Sequence, residues 1–369
     1  MKKILAIVLA IALVVVVLAS CTTSNEQAST SSEAAATESA AASESAAATE
    51  SAAAVSYDWP QVGETTNPKM VEQEPSQPLK FVFIGYSNNT YWNLIYAGVD
   101  QATEFLAQHN VTVEKVDLGS TVGVEVMNNA FEAAVASGYN GIVATTFVSG
   151  VENYIKAAVD AGIPVVTIGG ESADTASTGR LCCLCADNQP VGQLVGETMA
   201  EALKDKPGAK FATITSQFTM ENLEIKRTVA TEYLEGLGYE CVGSYEANDS
   251  ADTTYDLTTD IITADPDIAA IYCVAGGSEG CPRAVADAGK TGEIYVIGPD
   301  ETEEHLDYVR TGEMTVIGQN PTGYAFDCFI YLYNNVVAGE VPETTYDNGM
   351  IAAYSMIINK DNVDELFPQ

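Results

Sequence analysis

The stretch Phe81–Gly98, with sequence FVFIGYSNNTYWNLIYAG, decides the architecture of this chain. It opens with a short apolar run rich in aromatic and β-branched residues, which is typical of a buried parallel strand. A polar turn, Ser87–Thr90, follows, and a helical pattern begins at about Tyr91. In open α/β sheets, ligands bind at the carboxyl ends of the strands. We therefore expect this turn, together with Tyr91 and Trp92, to form part of a ligand site.

The side chains of this turn predict the kind of ligand. Amides and aromatic rings suit a neutral polyol, because flat C–H faces stack on rings and hydroxyls pair with planar amides. A structural alternative stays open, in which Tyr91 and Trp92 only pack the start of the helix.

Strand-like and helix-like runs alternate from Phe81 onward, and this βαβ order favours parallel sheets with helices on both faces. The pattern restarts after Asp187. Two segments also repeat, since Asp160–Gly169 parallels Asp287–Gly298 with two extra residues in the turn. A repeated βαβ half indicates two similar lobes that face each other across a cleft.

From residue 80 to about residue 360 the chain resembles the periplasmic sugar-binding proteins of the ribose/galactose type, which deliver ligand to ABC importers. The resemblance implies the type I periplasmic binding protein fold. Two similar parallel-sheet α/β lobes would be joined by a three-strand hinge and would close on the ligand. The motifs that carry it are Asn88–Trp92, Ala186–Asn188, Val296–Asp300 and Thr315–Gln319.

The resemblance also implies the lobe boundaries, with crossings near Asp187, Gln319 and Tyr346. Lobe 1 would contain residues 79–187 and 320–346, and lobe 2 residues 188–319 and 347–369. The helix Thr322–Ala338 would return to lobe 1, and the final segment Met350–Asn359 would end in lobe 2.

Residues 1–20 are typical of a targeting segment. Lys2 and Lys3 precede an apolar core, Ile4–Leu18, that is too short for a comfortable membrane span. The small residues before Cys21 resemble the lipobox of bacterial lipoproteins, which implies cleavage before Cys21 and an acyl anchor. An ordinary secretory signal is the alternative.

Residues 21–78 are expected to be a flexible tether. From Thr22 to about Ser56 the sequence is almost entirely Ala, Ser, Thr and Glu, which gives too little apolar bulk to fold. Residues 57–78 contain an aromatic residue, Trp59, but also four prolines. The sequence leaves open whether this part docks on the folded body.

The net charge of the chain limits which classes of partner it can bind. The formal net charge is −35, so a nucleic-acid partner is excluded, because phosphate binding needs clustered Lys and Arg. An acidic body also favours anchoring by acyl chains over a basic membrane-binding face. We expect a monomer with no cofactor, anchored on the outer face of the bacterial cytoplasmic membrane or in the periplasm, with a small-molecule ligand and an ABC permease as partners.

Seven cysteines follow Cys21, and the chain has only two histidines, His109 and His305. A metal site is therefore not expected. The run Cys182–Cys185 reads as a strand of small buried hydrophobic residues.

By resemblance, Asn89 donates an amide to the ligand, while Tyr91 and Trp92 supply ring faces from lobe 1. Asp300 would accept hydrogen bonds from adjacent sugar hydroxyls, and Gln319 would lie beside the ligand at the hinge. Asp300 has an alternative role as the N-cap of the following helix. Gln319 has one as a purely structural hinge amide.

The chain departs from the family at two places. Where the family usually has Asp-Arg, this chain has Gly169–Glu171, and the internal repeat places Glu171 opposite Asp300. We therefore expect Glu171 to replace the missing carboxylate, with no replacement for the guanidinium. Ala275–Gly277 stands where the family usually has Asn-Asp, which suggests a ligand other than a simple pentose or hexose, or one that needs more room.

On the facing lobe, Asn222 and Tyr255 are further ligand candidates. Lys226 and Arg227 are candidates too, but we favour reading both as exposed helix charges. Phe218 is a weaker candidate for a second stacking ring.

Two other functions remain. Gly276–Gly280 fits the G-x-S-x-G nucleophile elbow around Ser278, and Asp300 and His305 follow in the chain order of a hydrolase triad. These two residues are only five positions apart in the sequence, whereas the hydrolase fold carries its acid and its base on separate loops. We therefore expect that the protein is not an enzyme. A ligand sensor that signals to a membrane receptor would use the same fold.

Overall fold

The computed structural model describes residues 66, 68–87, 89–120, 122–171 and 173–369, and within them not the side chains of residues 171, 173 and 174. The predicted leader, Cys21 and most of the tether lie outside the described residues. Within the described part of the chain, no helix is long and apolar enough to cross a membrane.

The described chain forms the two α/β lobes that the repeat predicts. Lobe 1 contains β1 (Leu79–Gly85), α1 (Tyr91–Ala107), β2 (Val111–Asp117), α2 (Val124–Ala136), β3 (Gly141–Thr146), α3 (Glu152–Asp160), β4 (Val165–Glu171), a 3-10 helix (Ala173–Thr178), β5 (Cys182–Ala186), α9 (Pro321–Ala338) and β11 (Met350–Ala353). Lobe 2 contains α4 (Asn188–Leu203), β6 (Lys210–Thr215), α5 (Glu221–Gly236), β7 (Glu240–Glu246), α6 (Ala251–Ala264), β8 (Ile268–Cys273), α7 (Gly280–Asp287), β9 (Tyr295–Pro299), α8 (Glu303–Thr311), β10 (Thr315–Gly318), β12 (Met356–Ile358) and α10 (Val363–Leu366).

Both lobes are built on six-stranded sheets with equivalent strand orders. The first sheet has the order β11-β5-β4-β3-β1-β2 and is parallel throughout. The second has the order β12-β10-β9-β8-β6-β7, in which only β12 runs antiparallel to its neighbour. Central strands such as β3 and β8 are buried along their whole length, as expected for sheets covered by helices on both faces.

The chain passes between the lobes three times. The first two passages lie at Asp187, between β5 and α4, and after β10, before α9 begins. The third comes later than the predicted position near Tyr346. β11 still pairs with β5 in the first sheet, with Met350 opposite Cys183, and only β12 joins the second sheet. The start of the final segment therefore belongs to lobe 1, and the passage falls between Ala353 and Met356.

A segment ahead of β1, residues 68–78, lies along α9, and we call it the strap. Met70 is buried. The side-chain amide of Asn334 on α9 hydrogen-bonds to the strap backbone through both its oxygen and its nitrogen. Its Oδ1 accepts from the Val71 N–H at 3.0 Å and its Nδ2 donates to the Lys69 carbonyl at 2.7 Å. The question that the sequence left open for residues 57–78 is answered for the strap, which docks on lobe 1.

We expect Asn334→Ala to lower the free energy of unfolding by about 1–3 kcal/mol, because two hydrogen bonds of a buried amide are lost together. Urea unfolding of the purified protein measures the change. Asn335→Ala is the control, since the Asn335 amide is half-buried and, among the described residues, bonds only the Glu340 carbonyl, at 2.8 Å. Equal effects of the two substitutions would contradict a specific role of Asn334.

Candidate ligand-binding cleft

The carboxyl ends of the two sheets face each other. A Cβ on Gly276, which follows β8 in lobe 2, would lie 3.2 Å from the Asn89 Nδ2 in lobe 1. Similarly, a Cβ on Gly170 in β4 would lie 3.7 Å from the Nδ2 of Asn222 at the start of α5. The loops of the two lobes are therefore in contact, and the cleft lies between the strand ends, as expected for a ligand site in this class of sheet.

Asn89 and Tyr91 line the lobe 1 side of this cleft. The Asn89 Oδ1 accepts from the Tyr91 backbone N–H at 3.1 Å, which orients the amide nitrogen toward lobe 2. The Tyr91 hydroxyl is hydrogen-bonded to the Tyr324 hydroxyl on α9. Burial raises the pKa of Tyr91, so its hydroxyl stays protonated and can act as both donor and acceptor.

Trp92 lies beneath these residues in an aromatic cluster. Its ring centroid is 5.5 Å from that of Tyr91, 6.0 Å from that of Tyr86 and 6.5 Å from that of Phe147. Only 5% of Trp92 is exposed. In this structure the indole therefore packs the start of α1, which is the structural alternative that the sequence left open.

Asp300 and Lys226 place opposite charges inside the cleft. Asp300 follows β9 and Lys226 lies on α5, and they are 6% and 7% exposed. Within the described residues, no group hydrogen-bonds to either side chain. Burial raises the pKa of Asp300 to about 6 and lowers that of Lys226, while the attraction between the two charges opposes both shifts. The preferred reading of Lys226 as an exposed charge is wrong.

The capping alternative for Asp300 is also wrong. Thr302 is the N-cap of α8, and its Oγ1 accepts from the His305 N–H at 3.4 Å. Asp300 itself has a left-handed backbone, with a φ of 71°. Such a conformation is uncommon for a residue with a Cβ and is found in turns and at functional sites.

Glu301 supports the hinge next to Gln319, a role that no pattern in the sequence predicts. Its buried carboxylate accepts from the backbone N–H groups of Gln319 at 3.3 Å and Asn320 at 2.7 Å. Burial and the neighbouring Asp300 raise the pKa of Glu301 to about 7. Gln319 is half-buried and lies at the second passage between the lobes, where the resemblance predicts it.

The two raised carboxyl pKa values predict a pH dependence of stability. A carboxyl whose pKa is higher in the folded than in the unfolded chain stabilises the fold fully below its unfolded pKa, about 4. That stabilisation is lost as the pH rises through the folded pKa, about 6 for Asp300 and about 7 for Glu301. We therefore expect the free energy of unfolding to decrease from about pH 4.5 to pH 7.5, by about 1.4 kcal/mol per unit of pKa difference.

Urea unfolding at a series of pH values measures this dependence. Glu301→Gln is the informative variant, since glutamine has nearly the same shape but cannot titrate. Its one amide oxygen can accept from the Asn320 N–H, which makes the shorter of the two bonds, and the bond from the Gln319 N–H is lost. We expect a shallower slope for this variant between pH 5 and 7.5. An unchanged slope would show that Glu301 does not titrate in this range.

The remaining lobe 2 candidates separate into two groups. Asn222 faces Gly170 across the cleft, as described above. Tyr255 does not reach the cleft, because its hydroxyl donates to Asp287 at the far end of α7, at 2.8 Å, and the Arg283 guanidinium lies over its ring. Glu171 ends β4, but its side chain lies outside the described residues, so its proposed role stays a prediction.

Arg227 and Phe218 interact with each other instead of with the cleft. The Arg227 Nη2 donates to the Glu224 carboxylate at 2.7 Å, and its guanidinium lies 5.6 Å from the Phe218 ring centroid. The Arg227 side chain is 16% exposed, so it is not a freely exposed charge. Its partners account for it as a structural residue of α5.

The serine of the G-x-S-x-G sequence does meet a histidine. The Ser278 Oγ lies 2.9 Å from the His305 Nε2, while the other ring nitrogen lies 2.6 Å from the Thr302 hydroxyl. In a catalytic triad a carboxylate accepts from this second ring nitrogen, whereas here its partner is the Thr302 hydroxyl. Ser278 and His305 are also buried, with exposed fractions of 0% and 1%. This buried network connects the turn after β8 with the start of α8 and offers a substrate no approach to Ser278.

Comparisons with known proteins agree with this architecture. One curated relative, the D-allose-binding periplasmic protein of Escherichia coli (strain K12), is 34% identical over 133 residues, which are 34% of this chain and 43% of that protein. The chain thus aligns with less than half the length of that relative.

Solved structures extend the likeness to nearly the whole described chain. A glucose-galactose binding protein from Geobacillus stearothermophilus superimposes with a TM-score of 0.66 at 22% identity, covering 80% of this chain and 100% of that one. An ABC transporter periplasmic solute binding protein from Actinobacillus succinogenes, solved with bound D-allose, gives 0.68 at 20% identity, covering 78% and 100%. At such identities the likeness shows the fold.

The sequence itself decides the family. The sequence pattern of the family described as periplasmic binding protein domain matches residues 79–340, which is more than half of the chain. The structure shows the matching fold, with two mostly parallel α/β sheets and alternating helices. On this evidence the chain belongs to the periplasmic binding protein family.

Proposed function

We propose that the protein is a lipid-anchored receptor outside the cytoplasm that captures a neutral sugar in its cleft and presents it to an ABC import permease. The observation that carries this proposal is the pair of buried charges, Asp300 and Lys226, whose hydrogen bonds are not used by the described residues. Buried charged groups are normally paired or hydrogen-bonded, so these two are suited to bind a ligand.

A polyol fits this pair because each hydroxyl both donates and accepts. One hydroxyl can donate to the Asp300 carboxylate while its neighbour accepts from the Lys226 ammonium, so both charges are satisfied without a charge on the ligand. The Asn89 amide and the Tyr91 hydroxyl add neutral donors and acceptors around them. The names of the relatives, which include proteins that bind D-allose, glucose and galactose, support the same class of ligand.

Membership of the family implies a location outside the cytoplasm. Lipid anchoring is supported by the small residues that precede Cys21 in the sequence. Mass spectrometry of the mature protein is expected to show an acylated Cys21 at its N-terminus. Cys21→Ser should move the protein from the membrane fraction to the soluble fraction, whereas an unmodified N-terminus at another residue would contradict the anchor.

A thermal-shift screen tests the choice of ligand. The full chain, unfolded and refolded to remove carried-over ligand, is tested against D-allose, D-glucose, D-galactose, D-ribose and D-arabinose, with nucleosides and amino acids as the other classes. A sugar at a hundredfold excess over its dissociation constant adds about 2.7 kcal/mol to the free energy of unfolding, which is easily detected. If a nucleoside or an amino acid stabilises the protein and no sugar does, the fold assignment stands and the proposed class of ligand is wrong.

Ser278→Ala distinguishes this function from hydrolysis. We expect the variant to bind the sugar as the native protein does, because Ser278 is fully buried behind the cleft. We also expect neither protein to hydrolyse p-nitrophenyl acetate above the buffer rate. Esterase activity that disappears in the variant would favour the hydrolase instead.

A further inference from the structure

One carboxylate of lobe 2, Asp249, faces lobe 1 directly. It lies in the loop between β7 and α6, and three donors near it favour its charged form: the Ser216 hydroxyl, the Asn89 amide and the Gly276 N–H. Burial raises the pKa of Asp249 and these donors oppose that rise. Two of the donors belong to lobe 2, whereas Asn89 belongs to lobe 1.

The glycine after β8 gives Asn89 room to reach this carboxylate. A Cβ on Gly276 would lie 3.2 Å from the Asn89 Nδ2 and 3.6 Å from the Asp249 Cβ. The former distance is too short for comfortable contact. From the sequence, Ala275–Gly277 suggested a ligand other than a simple pentose or hexose, or one that needs more room. In the structure, the space at Gly276 admits a side chain from the opposite lobe.

The backbone of the Asp249 loop is held in an unfavourable conformation. Asn248 and Asp249 are consecutive residues in the left-handed region, with φ values of 52° and 57°. Such conformations are found at ligand clamps and switch regions, where surrounding contacts enforce them.

The Asn89 amide lies between groups of both lobes. Its Oδ1 accepts from the Tyr91 N–H at 3.1 Å within lobe 1, and its Nδ2 lies against Gly276 beside Asp249 in lobe 2. The orientation of Asn89 at the cleft therefore depends on the position of the opposite lobe. Separation of the lobes would remove the contact to Asp249 and keep the one to Tyr91.

We propose that Asp249 is a positioning residue that latches the two lobes by holding Asn89 against Gly276. The latch forms only when the lobes are closed, so it adds to the affinity for the ligand by stabilising the closed state. The effect of the latch on ligand affinity rests on the proposed function, whereas the contact between the lobes is independent of which ligand binds.

A double-mutant cycle tests the latch. Asn89→Asp places two carboxylates face to face, and Asp249→Asn in addition restores one donor and one acceptor. With D-allose, or the panel sugar that gives the largest thermal shift, we expect Asn89→Asp to weaken binding at least tenfold more in the native background than in the Asp249→Asn background. The same loss in both backgrounds would overturn the latch, whatever Asn89 itself contributes to ligand contact.

Hydrogen exchange of the ligand-free full chain gives a second readout that needs no sugar. We expect Asn89→Asp to increase amide exchange in residues 89–95 and 246–252 several-fold, and the double variant to restore slow exchange on both lobes. Asp252→Asn is the control, because its carboxylate lies three residues further on and is 94% exposed. If the Asp249 substitution leaves exchange in residues 89–95 unchanged, the latch is wrong even where sugar binding succeeds. If no sugar binds while the exchange cycle behaves as expected, the latch holds and the proposed ligand fails.

Discussion

Replacing Asp300 with alanine is expected to weaken sugar binding by about 2–5 kcal/mol, which is about 30-fold to several thousand-fold in the dissociation constant. The variant removes a buried acceptor from the cleft and leaves the buried Lys226 ammonium without a counter-charge. Isothermal titration calorimetry with the best panel sugar measures the loss. Asp307→Ala is the matched control, since this carboxylate on α8 is 65% exposed and pairs only with Arg310 among the described residues.

A double variant separates binding from stability. Asp300→Ala alone should also lower the free energy of unfolding, because an unpaired charge stays buried. Adding Lys226→Met removes that charge, so we expect stability to recover while binding stays lost. Native affinity in Asp300→Ala would exclude this carboxylate from the site, and recovery of binding in the double variant would reduce its role to neutralising Lys226.

Replacing Gly98, the one glycine of α1, with alanine is expected to lower the free energy of unfolding by about 1–3 kcal/mol or more. A Cβ at this position would lie 2.1 Å from the Thr322 carbonyl oxygen and 2.8 Å from the Ala325 Cβ, so α1 and α9 would have to move apart. The obstacle is backbone, which cannot rotate away as a flexible side chain can. Urea unfolding measures the change.

A second helix glycine provides the control for Gly98. Gly236 ends α5, and a Cβ there would meet nothing within 4 Å. Gly236→Ala should therefore raise the free energy of unfolding by up to about 1 kcal/mol, because alanine favours the helix. Destabilisation of similar size in both variants would show that helix propensity, and not the close approach of α9, determines the effect.

Local pattern predicted most of the fold because the strands are marked by apolar runs and the helices by periodicity. The pattern predicts a strand at Lys210–Thr215, which are the bounds of β6, and a helix at Asn222–Glu235, to which α5 adds one residue at each end. The third passage was misplaced because β11 and β12 are four and three residues long and only two residues apart. The local sequence pattern does not indicate which of the two sheets such short strands join.

The candidate site was predicted where it depends on strand ends and missed where it depends on the facing lobe. Asn89 and Asp300 follow strands, so their position at the cleft could be predicted from alternation alone. Lys226 and Tyr255 both lie on helices, whose buried side is set by what packs against them. The structure buries Lys226 in the cleft and directs Tyr255 away from it. The binding roles of these residues stay predictions.

The return of α9 and β11 to lobe 1 has a consequence for how the chain acquires its structure. The Thr322 hydroxyl on α9 donates to the Leu94 carbonyl on α1 across 228 residues of sequence. The lobe whose synthesis begins first can thus be completed only near the end of the chain, since its sheet lacks an edge strand and its α1 lacks a packing partner until residues 321–353 are available. Contacts of such long range slow folding and leave apolar surface exposed meanwhile. An exported chain of this design should stay incompletely folded until its C-terminal region has emerged, which keeps it in a state that can still be threaded across a membrane.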